Sequence, residues 1–274
     1  MTSPIDPQVP LRASAVRNTR RFASARTILA LILREMSTTY GRSPGGYIWA
    51  VLEPALGIAL LTAIFSLGFK SPPIGINFPI FYATGMVPFL MFSSLSGSIA
   101  TSLLFSKRLL AYPSVTFVDA IIGRLIVNGL TQLMVAYFIL FGILMMFETR
   151  TVPDLLVIFQ TFFLTIVLSL GVGTMNCFLF TMVPVWQRAW SVITRPLFIL
   201  SCVLFLFETV PQPYRDILWY NPLVHVVGRM RSAFYPSYDA AYVSYTYVYS
   251  VALISLAVGL VFLSRYHRDM LNDG

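Results

Sequence analysis

Apolar positions run through this chain in long, nearly unbroken blocks, and polar positions are confined to the short segments between them. Such blocks fall at residues 49–69, 79–104, 120–147, 155–183, 190–207 and 242–263. A helix needs roughly 20 apolar residues to cross a hydrocarbon layer about 30 Å thick. The pattern therefore predicts an all-α polytopic membrane protein with six transmembrane helices. Ahead of the first block, Phe22, Ala25, Leu29, Ile32, Leu33, Met36 and Tyr40 recur at helical spacing, with Arg26, Arg34 and Glu35 on other faces. That is the pattern of an amphipathic helix too short and too charged to span, lying on the inner leaflet or serving as an anchor. It ends at Gly41, and Ser43, Pro44, Gly45 and Gly46 turn the chain into the first span. The units predicted are a cytoplasmic arm over 1–48, a membrane domain over 49–263 and a cytoplasmic tail over 264–274.

One stretch breaks the pattern. Residues 219–236, WYNPLVHVVGRMRSAFYP, place Asn221, His225, Arg229 and Arg231 in a short apolar run before the last span. On one helix the two arginines stand about 200° apart, so they do not share a face.

Composition sets the solvent: 274 residues with 57% hydrophobic, 11% charged and mean hydropathy +0.76 carry more apolar surface than a soluble domain of this size buries. The net charge of +8 reads as topology rather than as a nucleic-acid site. Arg12, Arg17, Arg20, Arg21, Arg26, Arg34, Arg42, Lys107, Arg108, Arg188, Arg265 and Arg268 fall on one side of the predicted spans, against Lys70, Arg150, Arg215, Arg229 and Arg231 on the other. The richer side is cytoplasmic, so both termini are expected inside the cell. No secretory signal pattern precedes the first span, which is expected to direct insertion itself.

Polar residues inside spans need partners or a path. Arg124 and Arg195 lie near cytoplasmic ends, where long side chains snorkel. Glu53 reaches less far and is expected to pair with a cation, Arg34 and Arg42 being candidates. Thr161, Thr165, Ser169 and Gly173 form one face of small residues, read as close helix packing or as a substrate path; Ser93, Ser94, Ser96, Gly97, Ser98, Thr101 and Ser102 read the same way. Asn128 and Gln132, one turn apart, are expected to face a neighbour or a cavity together. Tyr238, Tyr242, Tyr245 and Tyr249 are expected on one helical stripe, either an interfacial aromatic belt or a stacking surface for sugar rings. Cys177 and Cys202 read as buried free thiols.

Catalytic chemistry is thin. His225 and His267 are the chain's two histidines, the external acids Glu148, Asp154, Glu208, Asp216 and Asp239 form no motif, and neither Lys70 nor Lys107 sits in a phosphate-binding loop. The chain is expected to hold no cofactor and no metal; ATP and magnesium would sit on a separate polypeptide.

The stretch REMSTTYGRSPGGYIWAVLEP (34–54) resembles the opening of ABC-2-type exporter permeases, and VPQPYRDILWYNPLVHVVGRMRSAFYPSY (210–238) is similar to the segment before the last span in the branch that exports capsular polysaccharide. The resemblance implies a homodimer, two copies of a partner ATPase, a lipid-linked acidic glycan as cargo in the bacterial inner membrane, and periplasmic and outer-membrane partners continuing the path. It also implies a re-entrant helical hairpin over about 208–236, broken at Asn221-Pro222, with His225, Arg229 and Arg231 facing the exit beside the tyrosines. One arginine would meet the cargo while the other braces the hairpin. The loop 105–116, with Lys107, Arg108 and Pro113, matches the family's coupling helix, and Arg34, Arg42 and Arg188 join that ATPase-facing set. The family commonly carries an acidic residue near Gly228, and this chain departs from it there. Rival readings are an O-antigen or teichoic-acid permease, a secondary transporter, and a membrane-bound glycan enzyme.

Overall fold

A computed structural model describes residues 23–39, 45–110 and 115–272. The described residues form helices and no strand: α1 (Ala23–Thr39), α2 (Gly46–Gly68), α3 (Phe78–Ala100), α4 (Ser102–Leu110), α5 (Phe117–Met146), α6 (Leu155–Met182), α7 (Pro184–Leu200), α8 (Tyr214–Trp219), α9 (Pro222–Phe234) and α10 (Tyr245–Asn272), with a one-turn 3-10 helix at Phe207–Thr209. Five stretches are long and apolar enough to cross a membrane: α2, α3 continuing to Lys107, α5, α6, and α10 as far as Tyr266.

The predicted block 190–207 is where sequence and structure differ. The helix there starts earlier, at Pro184, and stops at Leu200, giving 17 residues or about 26 Å of rise. Ser201 turns its hydroxyl back onto the Leu197 carbonyl at 2.6 Å, and Cys202 takes a left-handed conformation with φ 58. That conformation ends a helix and costs a non-glycine residue about 1–2 kcal/mol. The apolar run beyond it is not helical; Val203 instead packs into the core beside Leu223 and Val227. The last helix begins at Tyr245, so Tyr238 and Tyr242 precede it and the four tyrosines do not form one helical stripe.

The bundle is built around α3, which is buried along most of its length from Ile80 to Ala100. Against it stand α5, α6 and α9, and α6 packs most closely on α10. There the backbones touch: a Cβ on Gly171 would lie 2.1 Å from the Ala252 carbonyl oxygen, and one on Gly259 2.7 Å from the Met175 amide. The small-residue face of α6 turns the other way, toward α3: a Cβ on Gly173 would lie 2.8 Å from the Ile99 Cβ and 2.9 Å from the Ser96 carbonyl oxygen. Thr161, Thr165 and Ser169 are fully buried, and each hydroxyl donates to the carbonyl four residues back at 2.7 Å.

α5 starts where Thr116 and Asp119 form a reciprocal cap, the threonine hydroxyl accepting from the Asp119 amide and the carboxylate from the Thr116 amide. α1 lies along the beginning of α5, with Leu31 above Gly123. Its outward face carries Leu29, Leu33 and Met36, while its inward face carries Leu31 and Glu35. The apolar stripe thus points away from the protein, the reverse of a soluble amphipathic helix.

The bundle has two distinct ends. At one, Leu103, Ile121, Cys177 and Leu263 meet beside α1. At the other, α9 is wedged among the long helices: its first turns pack with Phe89, Leu164, Leu168 and Val248, and its last with Ile80, Phe81, Ala136 and Ile139. The Asp154 amide at the head of α6 donates to the Ala233 carbonyl at 2.8 Å.

Glycine to alanine in a helix interior ordinarily stabilises by about 1 kcal/mol. At Gly171 the sign should reverse, because parting two packed helices costs about 1–3 kcal/mol or more. Gly171→Ala should lower the thermal midpoint of the purified protein, while Gly142→Ala, which meets nothing within 4 Å, should not. An unchanged or raised midpoint for Gly171→Ala would show that α6 and α10 are not in backbone contact.

Candidate functional site

At the α9 end, a break between helices is closed by two side chains from α9 and its cap. Asn221 accepts from the Leu223 amide at 3.1 Å, N-capping α9, with Pro222 in the first turn, where proline loses no hydrogen bond. The same side chain donates to the Leu200 carbonyl at 3.1 Å and to the Ser201 hydroxyl at 3.2 Å, so one amide caps both helices. Ten residues on, Arg231 donates to the carbonyls of Phe205 and Val203, each at 2.8 Å, and its guanidinium lies 4.5 Å from the centre of the Phe81 ring. The non-helical chain after α7 is thereby held to α9 at both its ends.

Arg231 is fully buried, and so is His225. The His225 Nε2 pairs with the Trp219 carbonyl at 2.8 Å, and its Nδ1 accepts from the Ser244 amide at 3.2 Å. These contacts select the neutral tautomer with the proton on Nε2, and burial holds its pKa below the ordinary histidine value. Both ring nitrogens of His225 and both terminal nitrogens of Arg231 bond the chain itself, while the buried Arg231 Nε has no partner among the described residues. Arg231 ties α9 to the chain at Val203 and Phe205. Arg229 is only half-buried; its guanidinium sits 5.3 Å from the Tyr245 ring centre, with a long 3.4 Å contact to Ser232, and it meets no carboxylate among the described residues.

Gly228 has a steric reason to be glycine. A Cβ there would stand 2.1 Å from the Tyr242 hydroxyl oxygen and 2.8 Å from its Cζ. The tyrosine occupies the space that an acidic side chain would need. Tyr242 in turn meets the Tyr238 hydroxyl at 3.4 Å, and Tyr238 donates to the Glu208 carboxylate at 3.0 Å. Tyr238 and Tyr242 thus belong to a polar cluster with Glu208 beside α9, apart from Tyr245 and Tyr249 on α10.

The opposite end holds the only ion pair among the described residues, and the sequence reading missed it. Arg124 of α5 places Nε 3.2 Å from Glu35 Oε1 of α1, with both side chains buried. Asn128 donates to the same Oε1 at 3.0 Å. The other arm of Arg124 donates to the Ser98 carbonyl at 2.8 Å and the Thr101 hydroxyl at 2.7 Å, at the break between α3 and α4. The guanidiniums of Arg124 and Arg34 lie 4.2 and 5.0 Å from the centre of the Phe105 ring. Removing one member of such a pair strands the other charge, at about 3–5 kcal/mol.

Glu53 takes no part in this cluster. It is exposed on α2 with no ionic partner among the described residues, which corrects the expected pairing with Arg34; Arg42 lies outside those residues. Asn128 and Gln132 do not share a neighbour either, since Gln132 donates to Ser94 of α3 at 2.9 Å. Of the ATPase-facing set, Lys107 is half-buried on α4, Arg108 is on the same helix, Arg188 is exposed as the fifth residue of α7, and Pro113 lies outside the described residues. Arg195 is exposed on α7. Both cysteines are buried and free, with Cys177 Sγ 3.3 Å from the Ser102 hydroxyl.

With this geometry in place, comparison with known proteins is decisive. Residues 26–235 match the ABC-2 type transporter family. The chain is a member of that family. It is 32% identical over 247 residues to the polysialic acid transport protein KpsM of Escherichia coli, covering 90% of this chain and 96% of that one. It is 23% identical over 245 residues to the capsule polysaccharide export inner-membrane protein CtrC of Neisseria meningitidis, covering 89% and 92%, and 23% identical over 246 residues to BexB of Haemophilus influenzae, with the same description and coverage. Membership in the ABC-2 family makes the chain a transport subunit rather than an enzyme. The wedge at α9 and the ion pair at α1 both fall inside the matched residues.

The contact at Gly228 generates a compensating pair of mutations. Gly228→Ala should reduce folded yield sharply, and adding Tyr242→Phe, which removes the nearer clashing atom, should restore part of it. Equal yields for Gly228→Ala with and without the second change, read by size-exclusion of the detergent-extracted protein, would contradict the close approach.

Proposed function

We propose that this protein is the membrane-spanning permease of an ATP-driven exporter that carries a lipid-linked acidic capsular polysaccharide across the bacterial inner membrane. The observation that carries this reading is the likeness, over about nine-tenths of the chain, to proteins named for polysialic acid transport and capsule polysaccharide export. The chain's two lysines lie outside any phosphate-binding loop, so hydrolysis belongs to a partner ATPase, present in two copies. The α1 end of the bundle carries Lys107 and Arg265 and is the cytoplasmic end by the excess of basic residues there. Both termini lie on that side, with α7 as the shortest of six crossings and α1 laying its outward leucines into the inner leaflet.

Two permease copies would enclose one path. α7 buries none of its residues and α2 only Pro54 and Ile58, leaving apolar faces for a second copy to cover. The α8–α9 pair acts as a re-entrant wedge at the outer end. Non-spanning backbone at that depth is tolerated only when protein satisfies it, as Asn221, His225 and Arg231 do here. Arg229, half-exposed and without a carboxylate partner among the described residues, is the residue suited to a passing phosphate or acidic sugar. Periplasmic and outer-membrane proteins would take over the polymer beyond it.

Cells lacking this gene should lose surface polysaccharide and accumulate the polymer inside, with both effects reversed by a plasmid copy; persistence of surface polymer would refute the assignment. Charge reversal at Lys107 and Arg108 together should leave the permease in the membrane at normal abundance while abolishing substrate-stimulated ATP hydrolysis. Undiminished export by that double variant would remove the 105–116 segment from ATPase docking.

A further inference from the structure

We infer that Glu35 and Arg124 are positioning residues that join α1, the α3–α4 break and the start of α5 into one body, so that a push on the 105–116 segment reaches all three together. The inference rests on the proposed docking of an ATPase at that segment. Arg124 is placed to do this because its two arms serve different elements. One closes the helix break through the Ser98 carbonyl and the Thr101 hydroxyl, and the other holds Glu35 of α1. Phe105, two residues before Lys107 on α4, lies against both Arg124 and Arg34, so α4 touches the same guanidinium that ties α1 to α5. Asn128 fixes the carboxylate from one turn further along α5. α1 also meets α5 through an apolar contact, Leu31 over Gly123, and an apolar contact of that kind sets no register by itself. A pair serving stability alone would need neither the link to the break nor the shared ring.

The test separates positioning from folding. Glu35→Gln with Arg124→Gln removes both charges, so neither is stranded, but glutamine is too short to span Ser98, Thr101 and α1 at once. The double variant should reach normal abundance and keep its ATPase, while polysaccharide exported per ATP hydrolysed falls about tenfold, within the range of inter-site coupling energies. A covalent tether should then substitute for the pair. A Cβ on Gly123 would lie 3.4 Å from the Leu31 Cβ, close to the separation of disulfide-linked residues. In inside-out membrane vesicles, Leu31→Cys with Gly123→Cys, oxidised, should restore export to the glutamine variant, and dithiothreitol should abolish the rescue. The same tether in the otherwise wild-type protein should leave export unchanged. Normal export per ATP by the double glutamine variant, failure of the tether to rescue it, or a block of wild-type export by the tether would each overturn the inference. Export by wild-type vesicles in the absence of ATP would instead overturn the exporter reading itself.

Discussion

A helix that stops inside an apolar bundle leaves carbonyls with no partner and no water to replace it. The described part of this structure is organised around two such stops. At the α3–α4 break the missing donor is Arg124, and after α7 the donors are Asn221 and Arg231. Each donor comes from an element distant in sequence, so closing the break also fixes that element in place. The polar residues that looked anomalous within apolar sequence are those that let the chain depart from helix where it needs to.

Both repairs touch α3. Arg231 lies over Phe81 near its start, and Arg124 reaches Ser98 near its end. Between them α3 is buried against α6, which is itself in backbone contact with α10. A stiff central post therefore connects the wedge of α9 at one end with the docking of α1 at the other.

The periodicity of the chain made the long helices and the α1 stripe legible, because each depends on local composition, whereas the break at Asn221-Pro222 was an implication of the family resemblance. The end of α7 was not, since Val203 to Leu206 read as apolar whether extended against α9 or continuing a helix. Glu35 was passed over for Glu53 because an acid on the polar face of an amphipathic helix looks solvated, whereas one among leucines looks costly. What decided between them was a partner on α5 that no spacing rule indicates. Gly228 carried a visible departure from the family, yet its cause, the ring of Tyr242, lies outside its own helix. His225 and Arg231 were correctly singled out as unusual, but their burial depends on which side of α9 meets the bundle, and a short helix with polar residues on several faces does not disclose that.

The pairing of α1 with α5 also bears on how the protein is made. Arg124 follows Glu35 by 89 residues, and the chain is synthesised from its N-terminus. When α1 emerges, its carboxylate has no guanidinium to meet, and two membrane-crossing stretches must be laid down before one arrives. Until then Glu35 stays hydrated at the membrane surface, and α1 can dock only after α5 has been inserted. The first described helix therefore takes its final place only after the third membrane-crossing stretch has entered.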